Sequence, residues 1–494
     1  MANLNGLIGY SKADGTETLI ASYGNDFVNV DTGAGYGQAV DNTYNTEFEV
    51  LLDNVFFQNY SNAPKNFNGT TWNNTHTEKL PISKYIKKFR TRLYLANIKI
   101  GSTTHPSRVL YSNLPTDNVL HWGYEQRTNL ETIANNTLVR ADFAKFKTYG
   151  LDEGDPFFIT SGSDQGEFKI QEVVDDQHII LKKAPTTTAS SISFWTSGNW
   201  FDVDTDDNDQ LRGLGENAGR LLCFKLFSLH RFDSDNLYQV NGAVGTSSNR
   251  SIITIGNKTL YAHLAGTNAD GIYSYENGQS VRISRAVQKY IKGISSSNYT
   301  SVVGWQEGNI YRLYVGDISN AQHNISVSNA VISYDTTSDA LSVDTISHAP
   351  TVATGFLEND VDKTYFGTDG GEIYHTPSGY NQGATTNPIP FTFVTQDVYP
   401  TGGISINDFT RIIVFSRDAN GTSVSFKPIN TPSATGKEFI TLGELKDDRT
   451  EFQLPRDTNK ACGINLRFLE SSIRENTLLI EKIIIFYINE GITQ

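Results

Sequence analysis

The sequence predicts an all-β chain, and three observations carry that prediction. Of its 494 residues, 24 are Tyr and 27 are Phe, while Met occurs once. Aromatic and β-branched residues are set between Gly, Asn and Asp clusters, which suits short, half-buried strands joined by tight turns. The Ala, Leu, Glu and Lys needed for long amphipathic helices are scattered rather than periodic.

The elements follow in order. ETLIASYGNDFVNVDTGAG, residues 17–35, reads as strand, Gly-Asn-Asp turn, strand and turn. Residues 249–284 hold four apolar runs separated by Gly-Asn, Asn-Ala-Asp-Gly and Glu-Asn-Gly. Each separator favours a positive φ or an Asx turn, as tight hairpins require. NIYRLYVGD, NAVISYDTTSDALSVDT and KTYFGTDGGEIYHT continue the pattern to residue 376. Four short strands per unit, at roughly 40–50-residue spacing, are the footprint of a β-propeller blade, and roughly five to seven blades fit the length.

Two stretches break the pattern. Residues 144–196 hold a Gly-Asp turn, a buried strand, a Gly-rich hairpin and two more strands, enough for a small barrel or sandwich inserted between propeller strands. Residues 404–494 alternate cleanly through RIIVFSRD, TSVSFKPI, EFITLGEL, EFQLP, GINLRFLES and LLIEKIIIFYI, which predicts a C-terminal β-sandwich. The expected division is therefore propeller over 1–143, inserted β-domain over 144–196, propeller again over 197–376, a Gly/Thr/Asn/Pro-rich linker over 377–403, and the sandwich over 404–494. One short helix is expected over residues 284–291 (SRAVQKYI), capped by Ser284.

Composition narrows the function. Hydrophobic residues make up 38% of the chain and charged residues 19%, a globular balance. The net charge of −14 argues against a sequence-reading nucleic-acid binder, which gains affinity by neutralising phosphates, yet it suits a surface past which DNA slides. Cys223 and Cys462 sit in separate apolar runs and read as buried hydrophobes, with neither a disulfide framework nor zinc spacing. The opening MANLNGLIGYSK lacks a charged-then-apolar signal region, and no apolar run approaches about 18 residues, so synthesis in a cytoplasm without membrane insertion is expected.

Several segments, taken in order, resemble those of the bacteriophage tail hub or nozzle (tail tubular) β-propeller proteins. FRTRLYLANIKIGSTTHPSRVLYSN, residues 89–113, carries a Pro-Ser-Arg-x-x-Tyr-Ser pattern on Pro106, Ser107, Arg108, Tyr111 and Ser112, with Trp122 shortly after. WFDVDTDDNDQLRGLGENAGRLLCFKLFSLHRF, residues 200–232, resembles the acidic turn and Gly-Arg-Leu-Leu strand of a blade junction. Residues 242–291 are similar to a blade ending in Gly-Ile-Tyr and a short helix, and the C-terminal module resembles the family's closing one. The stretch 144–196 has no family counterpart. The resemblance implies a virion tail protein made in the host cytoplasm, with about six copies side by side in a ring. The implied partners are an adaptor or portal-side ring, fibres, a plug, and double-stranded DNA that passes without being read.

The candidate chemical sites are few. Asp202, Asp204 and Asp206 alternate as Ca²⁺ ligands do, but an EF-hand counted from Asp202 needs Gly at 207 and Glu at 213, where the chain has Asp207 and Gly213. That leaves a solvated acidic turn or a looser cation site. GSDQGEF offers Asp164 and Gly166 of a sialidase-type Asp box, with Phe168 close behind, but Gly162 stands where Ser is required. No nucleophile elbow, His-Glu-x-x-His or phosphate-binding loop is present. The nine His are dispersed, and His178 or His263 reads as a surface or hydrogen-bonded residue. No catalytic residue, cofactor or metal is therefore expected. The one dense basic run is Lys84, Lys87, Lys88, Arg90 and Arg92. It reads either as a DNA-facing or interface patch, or as a strand edge whose solvated lysines block edge-to-edge pairing. Arg467 and Arg474 read as interface or surface residues. The alternative from another class is a carbohydrate-binding or glycosidase propeller at the tail tip, which needs paired carboxylates in one cleft. An intracellular interaction propeller is disfavoured, because WD-type and kelch signatures are absent.

Overall fold

The structure, a computed structural model, describes residues 4–491 except 75, 77–79, 101–102, 116–119, 121, 123, 234–235, 359–360, 376–380, 383–386, 389–390, 396, 403–404, 420, 430–437, 457–458 and 471–478. Arg474 and much of the expected 377–403 linker lie outside the described residues. The chain is all-β and divides into two compact units, residues 1–375 and 376–494.

In the first unit the hairpin turns predicted from Gly-Asn and Asn-Gly pairs fold antiparallel sheets of three or four strands, in chain order. They cover residues 4–29, 47–73, 82–111 with 200–202, 213–241, 253–282, 303–345 and 350–375. Asn277 and Gly278 take positive φ at one such turn, and Gly24, Gly256 and Gly308 at others, where a Cβ-bearing residue would be strained. The first strand of each sheet touches the first strand of the next. The series returns from Pro350–Glu358 to Leu4–Ser11, so the seven first strands make a closed circuit. Apolar clusters fill the spaces between neighbouring sheets, as where Leu4, Leu7 and Leu19 meet Val352 and Phe356 across the seam between the two ends of the unit.

The third sheet is split. Its strand Thr103–Tyr111 is completed by Trp200–Asp202, and the chain between them builds a closed six-stranded barrel. The barrel runs from Tyr124–Thr132 to Ala189–Ser197, and those two strands pair to close it. Its core holds Leu130, Val139, Phe146, Phe157, Ile170, Ile179, Leu181 and Phe194. The inserted body thus begins before residue 144. The strand YEQRTNLET is mostly polar and shows no apolar alternation, although Leu130 is fully buried.

The second unit stacks two sheets over one core that includes Phe409, Ile412, Val424, Phe426, Leu466 and Phe468. The stretch expected as linker contributes a strand to it. Phe391–Val394 pairs with Gly463–Glu470, a contact that local composition does not announce. The helical expectation over 284–291 resolves into a 3-10 turn, Ser284–Val287, followed by Gln288–Ile291. Ser284 does not cap it: its buried hydroxyl accepts the Ile272 N–H instead. No helix among the described residues is long and apolar enough to cross a membrane.

Candidate functional site

The circuit of first strands encloses a chain of cavities along its middle. One, of about 200 Å³, is lined from all seven sheets, through Leu7, Glu49, Lys87, Leu214, Ile253, Gly304 and Val352 among others. A second, of about 570 Å³, shares Lys87, Leu214 and Thr354 with it. The third, of about 310 Å³, opens beside Tyr44, Tyr60, Lys84, Tyr85, Arg212 and Arg250.

The charged groups here are fixed by the loop TSSNRS. Thr246 and Ser251 hydroxyls donate to the Ser248 carbonyl, Ser248 Oγ donates to Val302 O, and buried Tyr311 donates to Ser251 O at 2.8 Å. This network presents Asn249 and Arg250 to Glu47: Asn249 Nδ2 donates to Glu47 Oε2 at 2.9 Å, and Arg250 Nε lies 3.7 Å from Oε1. Burial pushes the Glu47 carboxyl above its usual range against the pull of Arg250. Arg250 also donates to Thr351 O at 2.5 Å and to Asn5 O, so one guanidinium bridges both sides of the seam between the first and seventh sheets. Lys87 pairs with Glu49 at 3.3 Å, whose charge raises the ammonium's affinity for its proton.

The basic run is therefore dispersed by the fold. Lys84 and Lys87 lie on Ile82–Phe89, whose outer edge abuts the first strands of the second and fourth sheets and is not a solvated edge. Lys84 donates to Gln210 Oε1 at 3.2 Å and lies 4.8 Å from the Tyr60 ring centre. Lys88 is exposed. Arg90, at a turn with φ of 54°, donates to Gly219 O at 3.1 Å, and Arg92 packs over Tyr111.

The acidic turn holds a cation that its own spacing does not reveal. Lys225, from the apolar run RLLCFKLF, has a side chain 0% exposed. Its ammonium donates to both Asp207 carboxylate oxygens, at 2.6 and 2.8 Å, and to the Asp204 carbonyl. Burial pushes Asp207 up, but the Lys225 hydrogen bonds, the Asp209 N–H and the Lys225 charge together outweigh it and leave the carboxyl below its ordinary range. His230 Nε2 stands 3.4 Å from Asp204 Oδ2. No group of metal-ligating side chains occurs among the described residues. Asp202, the first residue of the alternating set, is engaged elsewhere, by a bidentate pair with Arg108 at 2.8 Å for each bond.

That pair mounts the barrel on the third sheet. Arg108 lies 4.1 Å from the Trp200 ring centre and 5.5 Å from that of Phe158, a barrel residue stacked on Trp195. His105 meets both Phe158 and Trp195 edge-on, and burial, helped by Arg108, lowers its pKa to about 4. Ser112 of the same Pro-Ser-Arg segment accepts the Leu93 N–H. Asp164 of the Asp-box-like turn accepts from the N–H and hydroxyl of Thr186 and Thr187, which ties two barrel loops together and holds the carboxyl well below its usual range. Cys223 is buried and Cys462 partly so, both as free thiols.

No family model matches the chain, and no curated protein matches it. Among solved structures it is similar to the computationally designed Ika8 protein, with a TM-score of 0.37, 8% identity, and coverage of 76% of this chain and 96% of that one. Phage phi92 endosialidase gives 0.31 and 10%, over 82% and 72% of the two chains. A mutant of Trypanosoma rangeli sialidase displaying trans-sialidase activity gives 0.29 and 8%, over 98% and 93%. Scores this low leave fold and function to be argued from the chain itself.

Proposed function

We propose that this chain is a structural component of a phage virion tail, a hub or nozzle ring subunit whose seven sheets are the blades of a β-propeller. The propeller reading rests on the closed circuit of first strands, in which the inner edge of each sheet abuts those of its two neighbours. The tail reading is carried by the order of the three family-like segments along consecutive sheets, the third, fourth and fifth. The Pro-Ser-Arg segment and the acidic turn have structural duties there, mounting the barrel and enclosing Lys225. The seven sheets, the barrel and the second unit each offer surfaces to neighbours.

Cavities of 200–570 Å³ are small-molecule sized, so DNA does not thread the middle of one chain. The conduit lies between copies, about six of which close a ring by rotation, and the acidic surface of each lets the duplex slide. A carbohydrate-cleaving alternative needs two carboxylates free to act on one bond. Glu47 is instead held by Asn249 and Arg250, and Glu49 by Lys87. The test is the mass of the recombinant chain in solution beside its copy number in purified particles. A monomer in solution and about six copies in each tail support the proposal; absence from particles, or cleavage of surface glycans, contradicts it.

A further inference from the structure

The cavity beside Tyr60 has an unbalanced charge. Its lining carries three cations, Lys84, Arg212 and Arg250, against one carboxylate, Glu47, in a chain whose net charge is −14. Arg250 and Glu47 neutralise one another. Among the described residues neither Lys84 nor Arg212 has an ion-pair partner, and Arg212 Nε is buried without a hydrogen-bond partner. Two like charges held together without a counter-ion are unfavourable unless an anion joins them. Burial and the neighbouring Arg212 already draw the Lys84 ammonium towards its neutral form, the response expected of such a pair.

The walls are aromatic as well as charged. Tyr60 is held at φ of 62°, in the left-handed region that a bulky residue avoids, and its ring meets that of Tyr44 edge-on at 6.0 Å. Buried Asn59 keeps it there, since its Oδ1 accepts the N–H groups of Ser61 and Asn62. Aromatic walls around a guanidinium and an ammonium, in about 310 Å³, suit a small molecule with one charged end and a flat or hydroxylated body.

We propose that this cavity is a binding site for a small oxyanion ligand, a carboxylate- or phosphate-bearing molecule of monosaccharide size, held by Arg212 and Lys84. The site is independent of the tail reading. It is tested by calorimetric titration of the full chain at constant ionic strength with three probes: inorganic phosphate, sodium glucuronate, and glucose as the neutral control. Phosphate or glucuronate binds with one-to-one stoichiometry and glucose does not; whichever anion binds more tightly identifies the headgroup. Arg212→Gln, and separately Lys84→Gln, weakens that binding about ten-fold or more, the loss expected for one charge-assisted contact. Absence of binding by both anions, or equal affinity in folded Arg212→Gln or Lys84→Gln protein, overturns the proposal.

Discussion

Lys225 shows how a single residue settles an ambiguous motif. The run Asp202, Asp204, Asp206, Asp207 advertises a cation site, and it has one, but the cation is an ammonium delivered from a buried strand. Nothing within the acidic turn discloses this, because the partner lies eighteen positions along the chain in an apolar context. Asp207→Ala strands that ammonium, and urea unfolding is expected to show a loss of about 2–3 kcal/mol; millimolar Ca²⁺ is expected to leave the melting temperature of the wild type unchanged. His105 gives a second test. Its folded pKa of about 4 lies below the ordinary 6.5, so the fold favours the neutral ring. The contribution is complete above pH 6.5 and is lost as pH falls towards 4. His230 and His263 shift in the same direction through burial, so the readout is a difference between two proteins. His105→Phe keeps the aromatic contacts and is expected to give a flatter melting profile across that window than wild type. Parallel profiles would remove His105 from the acid response.

Among the elements, the hairpins were legible and the closures were not. Asn-Gly and Gly-Asn turns between apolar runs fix local pairs, which is why the strands between 249 and 345 match their sequence signals so closely. Tyr124–Thr132 and Phe391–Val394 escaped because their partners are distant, Ala189–Ser197 and Gly463–Glu470, and pairing across such separations leaves no local periodicity. The barrel is nevertheless inserted at neighbouring points of the third sheet. Its two connections meet where Asn199 Nδ2 donates to Asn113 Oδ1 at 2.6 Å and Tyr111 N–H donates to Asn199 O at 2.9 Å. Replacing residues 124–197 by a short Gly-Ser linker is therefore expected to leave a folded chain with a single cooperative transition for the seven sheets, measured by calorimetry. Loss of that transition would show that the third sheet depends on the barrel.

At the scale of the whole molecule, a repeat of short four-stranded units was readable from turn spacing, but the number of sheets was not. Two-residue strands such as Asn66–Phe67 and Trp72–Asn73 carry almost no pattern, and the barrel divides one sheet in two. The circuit itself is a non-local fact, and Arg250 is its clasp. Arg250→Ala would leave Glu47 buried beside an open seam, and a loss of about 3–5 kcal/mol in chemical unfolding is expected. A change under about 1 kcal/mol would mean that the apolar seam of Leu4, Leu7, Val352 and Phe356 closes the circuit alone. The central claim, a ring subunit whose DNA path runs between copies, is tested most directly by electron cryomicroscopy of the particle's tail. The account predicts about six copies around the tail axis, each with seven radial sheets, and duplex density outside every circuit. Tails that lack the chain, or a duplex threading the middle of one copy, would contradict it.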